Sequence, residues 1–173
     1  MGRAVYGIAK TEGQAERIVT ELEAAGFAYE DVSVLMPDRA GTRDFAHEKG
    51  TKAPEGAVAG AGTGGVIGGA FGLLAGIGSL AIPGIGPLIA AGPILATLSG
   101  AAVGATVGGM AGALVGMGIP EYEAKLYEGR IRDGNILISV MVADGDERHL
   151  AERVFKTCNA HDVSSASTAR APR

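Results

Sequence analysis

The chain has 173 residues and a formal net charge of −4, and it contains one cysteine. It has no basic run, which argues against nucleic acid as a partner, and the lone Cys158 excludes an internal disulfide. Residues 1–10 lack the basic start and apolar run of a signal peptide, so we expect the charged parts of the chain to face the cytoplasm.

The N-terminal residues predict a strand, a helix and a second strand. Residues 4–9 form a short apolar run of strand length. Thr11 and Gln14 fit a capping box at the start of a helix, and Gly26 suits the left-handed residue that ends one. Residues 32–36 form the next apolar run and predict the second strand.

The middle of the chain, residues 56–120, contains no Asp, Glu, Lys, Arg or His. Glycine recurs there at every fourth residue in two ladders, and residues four apart lie on one face of an α-helix. The first ladder is Gly56, Gly60, Gly64, Gly68, Gly72 and Gly76, and the second is Gly100, Gly104, Gly108, Gly112 and Gly116. The spacing predicts a hairpin of two apolar helices, Val58–Leu80 and Ile94–Met117, whose glycine faces pack closely on other helices and so drive oligomerisation.

Pro83, Gly84, Gly86 and Pro87 lie between the ladders and predict the hairpin turn, because proline and glycine interrupt helices. Each glycine in a helix costs about 1 kcal/mol relative to alanine, so these helices need another source of stability. Lipid can supply it, and so can tight packing within an assembly. Both helices are long enough for a hydrocarbon core of about 30 Å, but the stretch has no Trp or Tyr belt. A membrane location and a soluble assembly therefore both stay open.

A charged helix is predicted directly after the uncharged stretch. Pro120 suits its first turn, and the spacing predicts ion pairs between Glu121 and Lys125 and between Glu128 and Arg132. We interpret the glutamates of this helix as a solvated face rather than as an acid and base set.

The C-terminal residues repeat the strand, helix and strand scheme. Residues 135–142 are almost continuously apolar, which predicts a central strand. Asp144 or Asp146 is expected to cap the helix that follows, and Cys158 lies on its apolar stripe. Residues 162–165 predict a short strand at an edge of the sheet.

Residues with catalytic or metal-binding chemistry are sparse. His47, His149 and His161 lie far apart in the sequence, so we predict no metal site. The position of Cys158 predicts a buried thiol rather than a nucleophile. The GxGxxG pattern at residues 60–65 does not follow a strand and continues as a ladder, so we attribute it to helix packing rather than to a dinucleotide loop. We therefore predict no catalytic residue, no cofactor and no enzymatic activity.

These elements divide the chain into six segments of an α+β architecture. Two βαβ halves of this size normally close into a four-stranded ferredoxin-like sheet with both helices on one face, here interrupted by the glycine-zipper helical hairpin. The segments are residues 1–37, the first βαβ half; 38–55, a polar connector; 56–119, the hairpin; 120–134, the charged neck helix; 135–167, the second βαβ half; and 168–173, a disordered tail.

Several motifs together resemble a widespread bacterial family of glycine-zipper hairpin proteins. They are FAHEK at residues 45–49, TKAPEG at 51–56, AGIG at 75–78 with AIPG at 81–84, and GIPEYEAK at 118–125. Members of this family are similar to bacterial general-stress (heat-induced stress) proteins, which share the βαβ opening. Others are similar to a membrane component of the quinol:electron acceptor oxidoreductase, which has a hairpin between two such halves. The resemblance implies this architecture and a stress-type protein.

We therefore expect a non-enzymatic protein whose partners are itself and the lipid bilayer. Its hairpin would drive homo-oligomerisation, and its ferredoxin-like domain would lie on the cytoplasmic face of the bacterial inner membrane. The alternative is a cytoplasmic homo-oligomer whose hairpins form a shared apolar core. Whether the ferredoxin-like domain binds a small molecule stays open.

Overall fold

The computed structural model of the chain describes residues 2–38, 77–82, 86–94 and 105–168. Within these ranges the chain forms six strands and four helices, so the predicted α+β class is confirmed. The strands are β1 (Gly2–Ala9), β2 (Val32–Pro37), β3 (Ile77–Ile82), β4 (Gly86–Ala91), β5 (Ile136–Val142) and β6 (His161–Thr168). The helices are α1 (Glu12–Ala24), α2 (Ala105–Gly116), α3 (Glu121–Arg132) and α4 (Gly145–Thr157).

The described strands form one antiparallel sheet in the order β3-β4-β2-β5-β1-β6. β5 lies between β2 and β1, as its continuous apolar sequence predicts. β6 lies at one edge, also as predicted, but it extends from residue 161 to residue 168 and is longer than expected. A central strand that is apolar on both faces must be covered on both faces.

Helices cover this sheet on its two faces. Successive residues of a strand point to opposite sides, so Val5 and Tyr6 of β1 belong to two different cores. Val5 packs in the core formed with α1 and α4, which includes Phe155. Tyr6 packs in the core formed with α2 and α3, which includes Leu114. Each of these buried side chains stabilises the fold by about 1.5–3 kcal/mol.

Helix α1 begins and ends where the sequence predicts. The Thr11 hydroxyl accepts a hydrogen bond from the Gln14 N–H at 3.2 Å. The Gln14 side chain accepts one from the Lys10 N–H at 2.8 Å. Gly26 follows the helix with a φ of 100°, the left-handed conformation expected of it. These contacts satisfy backbone groups that the helix ends would otherwise leave unpaired.

The expected contacts of α3 and α4 are also present. Lys125 Nζ lies 2.6 Å from Glu121 Oε1, and Arg132 Nη2 lies 2.8 Å from Glu128 Oε1. Asp144 caps α4, and its carboxylate accepts hydrogen bonds from two backbone N–H groups of the first turn. Local sequence signals therefore place both helices correctly.

The predicted helix Val58–Leu80 is wrong for its last residues. Residues 77–82 form β3 and pair with β4, whereas residues 58–76 lie outside the described residues. β4 also pairs with β2, so this hairpin extends the sheet. An uncharged run of Ala, Ile and Leu fits a helix or a buried strand equally well. The pairing of β3 with β4, and of β4 with β2, makes this run a strand here.

Two of the four predicted turn residues are described, and they lie in a strand instead of between two helices. Gly86 and Pro87 open β4, and Gly86 has a φ of 95°. Pro83 and Gly84 lie outside the described residues. Ile82 of β3 lies opposite Gly86 of β4, and the two strands run antiparallel.

The second predicted helix, Ile94–Met117, is described in its C-terminal part as α2. Gly109 interrupts α2 with a φ of 62° and a ψ of −158°, a conformation that glycine adopts readily and other residues do not. Gly108 therefore lies before the break, and Gly112 lies after it. The remaining packing glycines lie outside the described residues: Gly60, Gly64, Gly68, Gly72, Gly76, Gly100 and Gly104. The same holds for the connector beyond Asp38 and the tail beyond Thr168.

Gly7 of β1 lies against the ring of Phe155, which limits what position 7 can hold. A Cβ built at Gly7 would lie 2.6 Å from Phe155 Cδ1. We predict that Gly7→Ala lowers the free energy of unfolding by about 1–3 kcal/mol, because the ring must shift within a packed core. Urea denaturation measures this change.

Gly129→Ala is the matched control for this substitution. Gly129 lies inside α3, and nothing lies within 4 Å of a Cβ built there. Alanine at this position should raise the free energy of unfolding by up to about 1 kcal/mol. A Gly7→Ala variant as stable as the unmodified chain would show that Phe155 does not pack on β1.

Candidate functional site

A row of four hydroxyl-bearing side chains crosses the sheet. Ser33 of β2 lies opposite Ser139 of β5. Tyr6 of β1 lies opposite Ser139 on one side and opposite Ser164 of β6 on the other. Directly paired residues of antiparallel strands share a face, so the four side chains stand side by side. We call Ser33, Ser139, Tyr6 and Ser164 the hydroxyl row; the first three are buried, within an otherwise apolar core.

Helix α3 covers one end of the hydroxyl row with Tyr127 and Glu123. The Ser164 hydroxyl donates to Glu123 Oε2 at 2.8 Å. The Tyr127 hydroxyl donates to the Asp162 carbonyl oxygen at 2.9 Å and lies 2.6 Å from Ser164 Oγ. Each hydroxyl has a single hydrogen, so Tyr127 donates either to the Asp162 carbonyl oxygen or to Ser164 Oγ, and Ser164 donates either to Glu123 or to Tyr127. The three side chains therefore form one polar cluster between α3 and β6.

An ion pair fixes α3 to β6 at a second point. Arg130 Nε donates to Asp162 Oδ2 at 2.7 Å. The pair is partly exposed, so on its own it contributes at most about 1 kcal/mol. Asp162 also accepts from Tyr127 through its carbonyl oxygen, and its φ of 51° lies in the left-handed region that Asp tolerates better than most residues. One residue of β6 thus holds two side chains of α3.

Burial keeps the two tyrosines of this site in their neutral form. The rings of Tyr6 and Tyr127 have centroids 6.1 Å apart. Burial raises the pKa of Tyr127 to about 12, although its hydrogen bond with Ser164 opposes the shift. Burial also raises the pKa of Tyr6, and the neighbouring Tyr127 and Glu123 raise it further. At neutral pH both phenols keep their proton, so neither acts as a base or a nucleophile.

Glu128 of α3 fixes the start of the second part of α2. Its Oε2 accepts a hydrogen bond from the Ala111 N–H at 2.7 Å, while its Oε1 binds Arg132. A carboxylate is favourable there, because the first N–H groups of a helix lack partners within it. The side chain of Glu128 is 19% exposed. The interpretation of the α3 glutamates as a solvated face is therefore correct for Glu121 but wrong for Glu128 and Glu123.

One side of α2 presents glycine to solvent. Gly112 and Gly116 are exposed, and nothing lies within 4 Å of a Cβ built at either position. Val115 is 41% exposed, and Tyr122 at the start of α3 is 79% exposed. We call Gly112, Val115 and Gly116 the glycine face of α2. The close packing expected at these glycines is not made within the part of the chain that the structure describes.

The other residues considered for catalysis or metal binding are the histidines and the cysteine. His149 and His161 are exposed, whereas His47 lies outside the described residues. Cys158 is buried, as expected, and burial raises the pKa of its thiol. Residues 2–38, 77–82, 86–94 and 105–168 contain no group of three or more His, Cys, Asp or Glu side chains that could hold a metal ion. A wide open groove on the outer side of α4 has acidic and basic residues on its walls and no buried polar group.

The hydroxyl row is not among the residues predicted from the sequence. The sequence contains only a weak indication of the row, because Ser33 and Ser139 each interrupt an otherwise apolar strand. Their alignment with Tyr6 and Ser164 depends on the register of four strands that lie far apart in the chain. Only the folded sheet brings these side chains together.

Comparisons of the chain with protein-family models, with curated proteins and with solved structures found no match. Among the described helices, none has the length and apolar character needed to cross a bilayer. The site is therefore interpreted from its own geometry.

We predict that Tyr127→Phe lowers the free energy of unfolding by about 1–3 kcal/mol. The substitution removes a hydroxyl that Asp162 and Ser164 both contact in a mostly buried place. Tyr122→Phe is the matched control, because Tyr122 is 79% exposed and should change stability by less than about 0.5 kcal/mol. Chemical denaturation of both variants makes the comparison. Equal effects would argue against the contacts between α3 and β6.

We also predict that the chain loses stability as the pH rises from about 10 to about 12. Unfolded tyrosines ionise near pH 10, whereas Tyr127 in the folded chain has a pKa of about 12 and that of Tyr6 is also raised. The unfolded state therefore releases protons in this window that the folded state retains. Each such group lowers the free energy of unfolding by up to about 1.4 kcal/mol per pH unit.

Denaturation at a series of pH values, with tyrosinate absorbance followed on the same samples, tests this expectation. Tyr127→Phe should reduce the slope, because one of the two retained protons is gone. A free energy of unfolding that stays constant through the alkaline window would refute the burial of the two phenols.

Proposed function

We propose that this chain is a non-enzymatic protein that self-associates through the glycine face of α2 at a lipid surface. The other side of α2 packs against α3 and the sheet, where Met110 and Leu114 are fully buried. The glycine face is the side that remains for a partner. Close approach of a second helix to this face is the contact that we propose.

The observation that carries this proposal is the outward position of Gly112 and Gly116. Gly112 lies inside α2, where glycine costs about 1 kcal/mol of helix stability relative to alanine. Neither residue has the positive φ that would require glycine. Nothing lies within 4 Å of a Cβ at either position. A partner backbone that comes closer than a side chain would allow accounts for glycine at both places.

The lipid part of the proposal is supported by the distribution of charge and apolar surface. Residues 56–120 carry no charged side chain, and Val115 is exposed on the glycine face. An uncharged surface can approach the headgroup region of a bilayer without the desolvation of a charge. The exposed Tyr122 opens α3, and tyrosine is favoured at the boundary between membrane and water. We propose the cytoplasmic face of the bacterial inner membrane as the location.

We also propose that the two ends of the chain form a ferredoxin-like unit. The order β2-β5-β1-β6 supports this arrangement, as does the packing of α1 and α4 in one core on one face of the sheet. An uncharged segment then lies between the two halves. The same arrangement supports a relationship to the bacterial glycine-zipper hairpin family and hence a stress-type role.

The second candidate function is a homo-oligomeric assembly that does not contact lipid. It is favoured by the packing of Met110 and Leu114, because part of the uncharged stretch already belongs to the core of its own chain. In such an assembly the glycine face of one copy packs on the same face of another copy. Self-association is common to both candidates, and the lipid contact separates them.

We predict that Gly112→Leu lowers the mass of the self-associated protein, because a leucine side chain holds the partner helix away from the glycine face. Gly13→Leu is the matched control: Gly13 is an exposed residue of α1 with nothing within 4 Å of an added Cβ. Sedimentation without lipid measures the mass of each variant. Flotation with phosphatidylcholine vesicles measures lipid binding.

The two measurements distinguish the possible outcomes. We expect the unmodified chain and Gly13→Leu to self-associate and to float with the vesicles. Self-association without flotation would select the assembly and exclude the lipid contact. A Gly112→Leu variant with the same mass as the unmodified chain would exclude both candidates.

A further inference from the structure

We infer that the outer edge of β3 pairs antiparallel with the same edge of a second copy of this chain. β3 lies at one end of the sheet, and among the described residues its strand partner is β4. An edge strand presents a row of N–H and C=O groups that another strand can bind. This contact involves a different element from the glycine face, so it does not depend on the function proposed above.

Two prolines identify the backbone groups of β3 that face outward. Pro87 of β4 lies opposite Ala81, and Pro37 of β2 lies opposite Leu88. Proline has no N–H, so Pro87 with Ala81 and Pro37 with Leu88 are pairs whose residues do not exchange hydrogen bonds. Both pairs indicate that the backbone N–H and C=O groups of Leu88 in β4 point toward β3 and away from β2. The outer edge of β3 then consists of the N–H and C=O groups of Ile77, Ser79 and Ala81.

The two edges of the sheet differ in their protection against pairing. β6 contains the charged Asp162 in a left-handed conformation, and its register with β1 shifts between Tyr6 and Ile8. Charges and irregular backbone are features by which sheets prevent contacts between edges. β3 has neither: its sequence IGSLAI is uncharged, and its register with β4 is regular over all six residues. Among the described strands, β3 is therefore the edge without these protections.

A second copy fits this edge because the pattern of outward groups is symmetric about Ser79. Antiparallel pairing about a two-fold axis at Ser79 places Ile77 opposite Ala81 of the second copy, and Ser79 opposite its own equivalent. The three outward residues of each copy then exchange about six hydrogen bonds. No like charges meet, since residues 56–120 carry none. The contact uses the same surface on both copies, so on its own it joins two chains and no more.

Cysteine cross-linking tests the pairing and its register. Reciprocally bonded residues of antiparallel strands have Cα atoms about 5.5 Å apart, a distance that a disulfide can bridge. We expect Ser79→Cys to shift from the monomer to the dimer position in a non-reducing gel after mild oxidation. Ser165→Cys is the matched control, because Ser165 is exposed on β6 at the opposite edge. It should remain at the monomer position, as should the unmodified chain, whose Cys158 is buried.

A second pair of variants tests the backbone contact itself. Ser79→Pro removes an N–H from the outer edge and leaves the bonds to β4 in place, so sedimentation of a chain that also carries Gly112→Leu should show a loss of dimer. All variants of this pair carry Gly112→Leu, so that the glycine face does not contribute to the mass. Ser79→Ala keeps that N–H and should retain the dimer. Circular dichroism shows whether each variant is folded. A folded Ser79→Pro variant with an unchanged dimer fraction would overturn the inference, and so would a Ser79→Cys variant that gives no cross-link.

The cross-link also separates this contact from the glycine face. Ser79→Cys should still form the covalent dimer when combined with Gly112→Leu, because β3 and α2 are different elements of the fold. If the cross-link disappears in the combined variant, the edge of β3 is not an interface in its own right and the inference is wrong. If it persists, the contact through β3 stands whether or not the glycine face self-associates.

Discussion

The need to keep water from both faces of one apolar sheet is the constraint on which the rest of this structure depends. β1, β2 and β5 direct alternate apolar residues to two cores, so a helical layer is required on each side. The charged ends of the chain supply α1 and α4 for one side. The other side is covered by α3 together with α2, which comes from the uncharged stretch. The described part of that stretch therefore belongs to the fold, and Leu114 packs in the same core as Tyr6.

Polar contacts determine where the second helical layer sits. Apolar packing alone would allow α3 to slide over the sheet, but Tyr127, Glu123 and Arg130 each have a partner on β6. Glu128 then binds the backbone of α2 at Ala111. A partly buried polar network favours one arrangement, because a shift of α3 would break several of these hydrogen bonds at once. The orientation of α2, and with it the direction of the glycine face, follows from the hydrogen bonds between α3 and β6.

The sequence correctly predicts the features that depend on a few neighbouring residues. The cap at Thr11, the left-handed Gly26 and the central position of β5 each depend on a few neighbouring residues, and all are present. The helical interpretation of residues 77–80 fails, because glycine at every fourth residue and an uncharged run do not distinguish a helix from a buried strand. β3 pairs with β4, and β4 in turn pairs with β2, which lies far away in the sequence. The hydroxyl row and the contact from Glu128 to Ala111 also join residues of different elements. The spacing of residues along the chain therefore does not predict them.

Amide hydrogen exchange of the full chain, followed by mass spectrometry, tests most directly whether the uncharged stretch belongs to the core. We predict that peptides covering residues 110–117 of the α2 region and residues 88–91 of β4 exchange as slowly as peptides from β1 and β5. Backbone amides within one cooperative core become exposed only when the whole domain opens. Rapid exchange of residues 110–117 and 88–91, with β1 and β5 still protected, would contradict the structure described above.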